Sequence, residues 1–193
     1  MLQNRYLDIE LECGIDESGA GPAFGPVVAA CVIMPKNWNH PILNDSKKLS
    51  EKKRIFLYDE IVRDCVEYSI SEVPSDKIDE INILQARFLA MDMCVKKLKN
   101  IPKHLIIDGN RFYNIYNIPY TCIVKGDGLY TSIAAASVLA KVYRDRLIES
   151  LSNKYNKWNL EKNKGYLTKE HINLINKNGI SELHRKTFCK NFL

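Results

Sequence analysis

Asp16 and Glu17 stand side by side in Ile15-Asp16-Glu17-Ser18-Gly19-Ala20-Gly21-Pro22, where an apolar stretch runs straight into a glycine-rich turn. Asp108 ends His104-Leu105-Ile106-Ile107-Asp108 ahead of Gly109-Asn110, and Asp127 lies between Gly126 and Gly128 just after the apolar run Pro119 to Val124. Strands of an α/β sheet bring their ends to one rim, so these four acids can converge although they are distant in sequence. There they repel one another strongly unless divalent cations neutralise them. Hard oxygen ligands suit Mg²⁺ or Mn²⁺, with waters and a substrate phosphate completing the shell. For the Asp16-Glu17 pair alone the competing reading is a solvated surface pair. Against it, Leu11, Cys13 and Ile15 alternate with Glu12, Gly14 and Asp16, a period of two that places Asp16 at a strand end.

The charge distribution points to a polyanion. The chain of 193 residues carries a net +5, and from residue 151 onward nine Lys or Arg stand against three acidic residues. A local basic footprint suggests nucleic acid, although a Lys- and Asn-rich composition from an A·T-biased genome gives the same count. An acidic cluster beside a basic tail is the electrostatic layout of a metal-dependent phosphodiester enzyme, in which two ions about 3.5–4 Å apart serve the attacking and the leaving oxygen.

Three further segments carry candidate contacts. Gly19-Ala20-Gly21-Pro22-Ala23-Phe24-Gly25 is no dinucleotide fingerprint, because its third glycine is misplaced and Pro22 and Pro26 keep the turn from opening a helix. It suits either close backbone approach to a ligand or a plain tight loop. Ser46, Lys47 and Lys48 precede a helix start and could contact phosphate, though Lys47-Lys48 standing alone is more often a solvated face. Lys164-Gly165-Tyr166 joins a cation, a flexible joint and a ring suited to stacking on a sugar or base, or to partly buried packing. His171 reads as structural, and His184-Arg185-Lys186-Thr187-Phe188 either touches phosphate or fastens the tail to the core.

The elements that must position these residues follow from periodicity. Strands are expected at 9–16, 26–34 and 66–71, the three forming an antiparallel meander, and at 104–108 and 119–124. Ser50 N-caps a helix through about Cys65, with Ile55, Tyr58, Ile61, Val62 and Cys65 as its packed stripe. A longer helix is expected from Asp76 to Lys99, and a small-residue helix from Ser132 to about Ser150 that can lie close against the sheet. A last helix runs from an N-cap at Thr168 to Asn178, closed by Gly179. The six cysteines are scattered with no C-x-x-C pair, and the longest apolar run falls far short of the ~20 residues that span a bilayer. A cytoplasmic protein with reduced thiols and no membrane attachment is expected, with residues 1–150 as the core and 151–193 as a basic helical segment that helps bind substrate.

In order along the chain, these motifs resemble ribonuclease HII. The carrying segments are Gly14 to Pro22, Asn44-Asp45-Ser46-Lys47-Lys48-Leu49-Ser50, Ile107-Asp108-Gly109-Asn110-Arg111, Val124-Lys125-Gly126-Asp127, Ala135 to Asp145, Lys164-Gly165-Tyr166 and His184 to Phe188. The resemblance implies an RNase H-like α/β core, a mixed central sheet flanked by helices, with a small helical C-terminal segment. It implies cleavage of RNA within an RNA–DNA hybrid and at single ribonucleotides embedded in duplex DNA, leaving 3′-hydroxyl and 5′-phosphate ends, by a monomer using two Mn²⁺ or Mg²⁺ ions. The family's metal-binding carboxylates fall on Asp16, Glu17, Asp108 and Asp127, and its junction-sensing tyrosine on Tyr166, stacked on the following deoxyribose. The family's Gly-Arg-Gly element reads Gly19-Ala20-Gly21 here: the amides that sense a 2′-hydroxyl remain and the guanidinium is missing. Ribonuclease HIII fits less well, and a hybrid-binding protein that has lost turnover is the rival from another class.

Overall fold

The second strand explains the layering. Val27-Val28-Ala29-Ala30-Cys31-Val32-Ile33 is apolar at every position and buried throughout, the pattern of a strand covered on both faces. Alternate side chains leave it in opposite directions: Val27, Ala29, Cys31 and Ile33 enter one core cluster and Val28, Ala30 and Val32 the other. The computed structural model describes residues 2–113 and 117–192. Met1 and Leu193, the outer ends of the two expected segments, and residues 114–116 lie outside them.

Five strands form one mixed sheet in the order β3-β2-β1-β4-β5, with β1 Glu12–Ser18, β2 Val27–Ile33, β3 Glu67–Val73, β4 His104–Asp108 and β5 Tyr120–Ile123. The first three make the expected antiparallel meander, whereas β4 and β5 run parallel to β1. The C-terminal ends of β1, β4 and β5 therefore share one edge, the edge where open α/β sheets bind ligands. The strand expected at 9–16 starts later, because Leu11 takes a left-handed φ of 57°, and ends later, so Asp16 lies two residues inside its end. The alternation of Leu11 to Asp16 was also no inside–outside pattern, since Glu12, Cys13, Gly14, Ile15 and Asp16 are all buried.

One face is covered by α3 (Ile83–Lys97) and the other by α1 (Glu51–Asp64) and α4 (Thr131–Ser152). Ser50 caps α1 by accepting the Lys53 N–H, as its sequence predicts, but the buried stripe is Leu57 and Ile61, while Ile55 faces solvent. The helix expected over 76–99 is two: α2 Ser75–Ile81 stops where Asn82 turns to φ 67°, and the Asn82 side chain then caps α3 at Gln85. Apolar periodicity runs through that break and conceals it. Small side chains let α4 approach β1 closely, and Gly14 is what admits it: a Cβ there would stand 2.2 Å from the Ser132 backbone.

The C-terminal part holds α5 Leu160–Asn163, α6 Lys169–Asn178 and α7 Lys186–Cys189, with Thr168 capping α6 and Gly179 closing it. Its apolar residues Tyr155, Trp158, Leu160, Ile175 and Cys189 pack around Ala23, Phe24 and Ile148. The tail thus shares a core with the glycine loop and the end of α4. Among the described residues all six cysteines are free, four of them buried, and no helix is long and apolar enough to cross a membrane.

Candidate active site

Strand register brings the acids together. Ile15 pairs with Ile107 and Asp108 with Ile123, so Asp16 and Asp108 leave neighbouring strands at the same level. Asp127 follows β5 in a tight turn whose Lys125 takes a left-handed φ of 58°, and Gly126 donates its N–H to Asp108 Oδ1 at 2.7 Å. Asp45, Lys47, Asp108, Lys125 and Asp127 line a cleft of about 460 Å³ at this rim.

Asp16 and Glu17, adjacent on an extended strand, point to opposite faces. Asp16 is buried on the α4 side, where the Ser137 hydroxyl favours its charged form, and its Oδ1 accepts the Glu17 N–H at 2.7 Å. Ser137 in turn meets the buried Ser46 hydroxyl at 2.9 Å. Glu17 turns toward α3 and pairs with Arg87 at 2.6 Å, while its Oε2 is buried with no hydrogen-bond partner among the described residues.

These environments disfavour ionisation. Burial, then Glu17 and Asp108, push the Asp16 carboxyl well above the usual carboxylate range. Burial raises Glu17 as well, against the lowering pull of Arg87, and Asp108 adds to the rise. Asp127 is pushed up to about 6 by burial, then by Asp108 and Asp45. Partial burial pulls the Lys47 ammonium down, but Asp16, Asp127, Asp45 and Asp108 outweigh it and leave its pKa raised.

Among the described residues no three His, Cys, Asp or Glu side chains form a ready-made metal cage. The donor set nevertheless fits a hard divalent cation: oxygen donors, an orphaned buried Glu17 oxygen, and repulsion that Lys47 and Arg87 alone do not cancel. Such ions keep several waters and need only one or two carboxylates each.

The other expected contacts divide into two groups. Tyr166 is 44% exposed and its ring adjoins the glycine loop, since a Cβ on Gly21 would lie 3.6 Å from Tyr166 Cε1. Gly19, with φ 92°, rests against the Arg144 side chain. Lys47 joins the carboxylates and Lys48 is exposed on the cleft wall. Ser46 instead points inward to Ser137, and the Lys164 ammonium is paired with Glu149. Behind Tyr166, the buried His171 donates from Nδ1 to the Tyr166 carbonyl at 2.9 Å, which leaves its Nε2 to accept from His184 Nε2–H at 3.2 Å. His184 Nδ1 then accepts from the Ser181 N–H and hydroxyl, so both imidazoles are neutral.

Sequence reasoning passed over Arg87, and gave Ser137 and Arg144 no role beyond the motif that contains them; Arg185 it placed in a segment that touches phosphate or fastens the tail to the core, and the structure has it fasten the tail to the glycine loop. For Ser137 there was a signal, a hydroxyl amid alanines on the helix facing the sheet. For Arg87 there was none, because only the side from which Glu17 leaves β1 brings it near.

Over residues 13–191 the chain matches the ribonuclease HII family. It is 49% identical over 189 residues to the ribonuclease HII of Porphyromonas gingivalis, covering 97% of this chain and 94% of that one. To the ribonuclease HII of Bacteroides fragilis it is 50% identical over 184 residues, covering 95% and 92%. Its backbone superposes on the ribonuclease H2 of Pyrococcus horikoshii with a TM-score of 0.76 at 23% identity, over 94% of this chain and 96% of that one, a likeness of fold.

Proposed function

Because the chain belongs to the ribonuclease HII family and is an endonuclease of the ribonuclease H type 2 class acting on RNA–DNA hybrids, we propose that it also cuts at single ribonucleotides in duplex DNA, at the carboxylate rim, leaving 3′-hydroxyl and 5′-phosphate ends. The observation that carries this reading is the convergence of Asp16, Glu17, Asp108 and Asp127 from three parallel strand ends, where Asp108 raises the cost of charge on Asp16, Glu17 and Asp127. A binding protein gains nothing from such repulsion.

Asp16, Glu17, Asp108 and Asp127 would hold two Mg²⁺ or Mn²⁺ ions, which when bound supply an activated water and stabilisation of the leaving oxygen. The chain's own groups prepare that arrangement. The Glu17 N–H, Arg87 and the Gly126 N–H each hold one carboxylate in place, on Asp16, Glu17 and Asp108 in turn, so little reorganisation remains for the reacting complex. Lys47 offers its ammonium to the scissile phosphate. The Gly19-Ala20-Gly21 backbone meets the ribose 2′-hydroxyl, and the exposed Tyr166 ring beside it stacks on the deoxyribose that follows. Residues 151–193 contribute that ring together with basic charge, and the protein works as a cytoplasmic monomer.

The test is an end-mapped digest of two duplexes, one with a continuous RNA strand and one with a single ribonucleotide, each with Mn²⁺ or Mg²⁺. Cleavage of both is expected. Cleavage of the continuous hybrid alone overturns the single-ribonucleotide reading, and cleavage of neither at any metal concentration makes the chain a hybrid-binding protein.

A further inference from the structure

Arg144 and Arg185 are fully buried, and among the described residues neither forms a salt bridge. Burying a guanidinium without a carboxylate is costly unless every donor is met. Here the acceptors are all backbone carbonyls. Arg185 donates to Gly25 O from Nε (3.0 Å) and Nη2 (2.9 Å), to Gly19 O from Nη2 (2.7 Å) and to Ala20 O from Nη1 (3.2 Å). Arg144 donates to Pro26 O (3.1 Å), Phe24 O (2.9 Å) and Lys164 O (3.0 Å). Burial, then the neighbouring Arg144, bring Arg185 down to about 9, which leaves it charged at neutral pH.

This arrangement fixes more than the tail. In a trans peptide the carbonyl of one residue and the N–H of the next point in opposite directions. Drawing the Gly19 and Ala20 carbonyls inward therefore turns the Ala20 and Gly21 N–H groups outward, where no acceptor among the described residues takes them. Arg144 ties the loop to Tyr166: it binds the Lys164 carbonyl as well as those of Phe24 and Pro26, and the Ala23 N–H donates to Gly165 O at 2.9 Å. Gly165 has no room for a side chain, since a Cβ would meet Phe24 O at 2.8 Å.

Resting on the reading that this loop meets the ribose, we propose that Arg144 and Arg185 are positioning residues for ribonucleotide recognition: the Arg185 fork aims the Ala20 and Gly21 amides at the 2′-hydroxyl and adjacent phosphate, and the Arg144 fork holds the loop in fixed register with Tyr166. Recognition then lies in backbone dipoles and does not need the arginine that the family carries at position 20. Lysine cannot replace either fork, because a single ammonium does not span carbonyls that far apart.

The experiment uses the full ¹⁵N-labelled chain, without divalent metal so that substrate stays intact, and a duplex carrying one ribonucleotide or its all-DNA counterpart. In the unaltered protein the Ala20 and Gly21 amides should be as ordered as the sheet, with order parameters near ~0.85, and should shift on adding the ribonucleotide duplex only. In Arg185→Lys and Arg144→Lys the order of these amides should fall. With metal added, kcat on the single-ribonucleotide duplex should drop by roughly a hundredfold while KM and all-DNA binding stay near their starting values. Mobile Ala20 and Gly21 amides in the unaltered protein would overturn the proposal without any variant. So would a folded Arg185→Lys protein that keeps both amide order and discrimination. If the unaltered chain cuts neither duplex the ribonuclease reading fails instead, and the amide order still decides whether the forks set the loop.

Discussion

At the rim of the sheet Asp16, Glu17, Asp108 and Asp127 face one another with too little positive charge between them, whereas across the glycine loop Arg144 and Arg185 lie fully buried with each guanidinium nitrogen bonded to a backbone carbonyl. Both regions hold charge away from water, and the cost is met differently. The loop meets it internally with hydrogen bonds, which makes the guanidiniums structural and rigid. The rim leaves it unmet, and a group whose charge the protein does not satisfy is available to something that arrives from outside. Neutral imidazoles continue the first pattern in His171 and His184, where every ring nitrogen has a partner.

Removing one charge from the rim should give the largest effect. Asp108→Asn keeps the shape and the Gly126 contact but removes a negative charge, and cleavage should fall on the order of a thousandfold, several kcal/mol of transition-state stabilisation. Duplex binding, measured by anisotropy, should change little. A variant that loses binding in the same proportion would place Asp108 among the groups that grip substrate and erase the contrast with the loop.

Next comes the packing that holds the rim in place. In Gly14→Ala the new methyl would collide with the Ser132 and Ile133 backbone, so α4 must move and take Ser137 away from Asp16. A loss of about 3 kcal/mol or more in urea unfolding is expected. Gly128→Ala, beside Asp127 with open space around it, should stay within about 0.5 kcal/mol.

The two regions should also answer acid in opposite senses. His184 is held down at about 4, by burial and then by His171, against about 6.5 unfolded, so between those values the unfolded chain binds more protons and stability falls as pH drops. The loss is roughly 3 kcal/mol at most, complete below pH 4 and absent above 6.5. Asp127, raised from 3.8 to about 6, has the reverse sign in metal-free protein: the folded chain binds more protons there, so stability rises as pH falls through 6. Thermal melts in a chelator should show His184→Gln more resistant to acid than the parent and Asp127→Asn less so. Shifts of the same sign in both variants would contradict the neutral pairing of His171 with His184.

Much of this was legible in the sequence because it was local. Four of the five strands were expected within two residues or so of their observed ends, the caps at Ser50 and Thr168 act as read, and the acids next to glycine do lie at one edge. What escaped depended on direction. Alternation in β1 placed Asp16 at a strand end, yet the strand is covered on both faces, buries Glu12, Gly14 and Asp16 along with Cys13 and Ile15, and runs on to Ser18. Periodicity also ran through Asn82, whose φ of 67° is a backbone property with no apolar signal. Arg87 and Arg144 act through a carboxylate and through carbonyls that only the assembled fold brings near, and for Arg185 the sequence left open whether it met phosphate or fastened the tail. Ser46 and Lys164, expected to face substrate, point instead to Ser137 and Glu149.

Ala20 is where the two regions meet, since its carbonyl is held by Arg185 while its side chain stands where the resemblance to ribonuclease HII leads one to expect an arginine. The backbone half of that element is intact, so restoring the guanidinium should add one phosphate contact without altering how the 2′-hydroxyl is read. Ala20→Arg should tighten duplex binding about tenfold, the worth of one charge-assisted hydrogen bond of ~1.5 kcal/mol. It should steepen the dependence of log Kd on log salt by about one counterion. Cleavage positions on a single-ribonucleotide duplex should stay the same, because an added phosphate contact grips every sequence alike. If Ala20→Arg moves the cleavage position instead, selection depends on the side chain, and the rigid loop behind it is scaffolding alone. If neither affinity nor salt slope changes, position 20 does not reach the phosphate, and the amides of Ala20 and Gly21 are the whole of the loop's contribution.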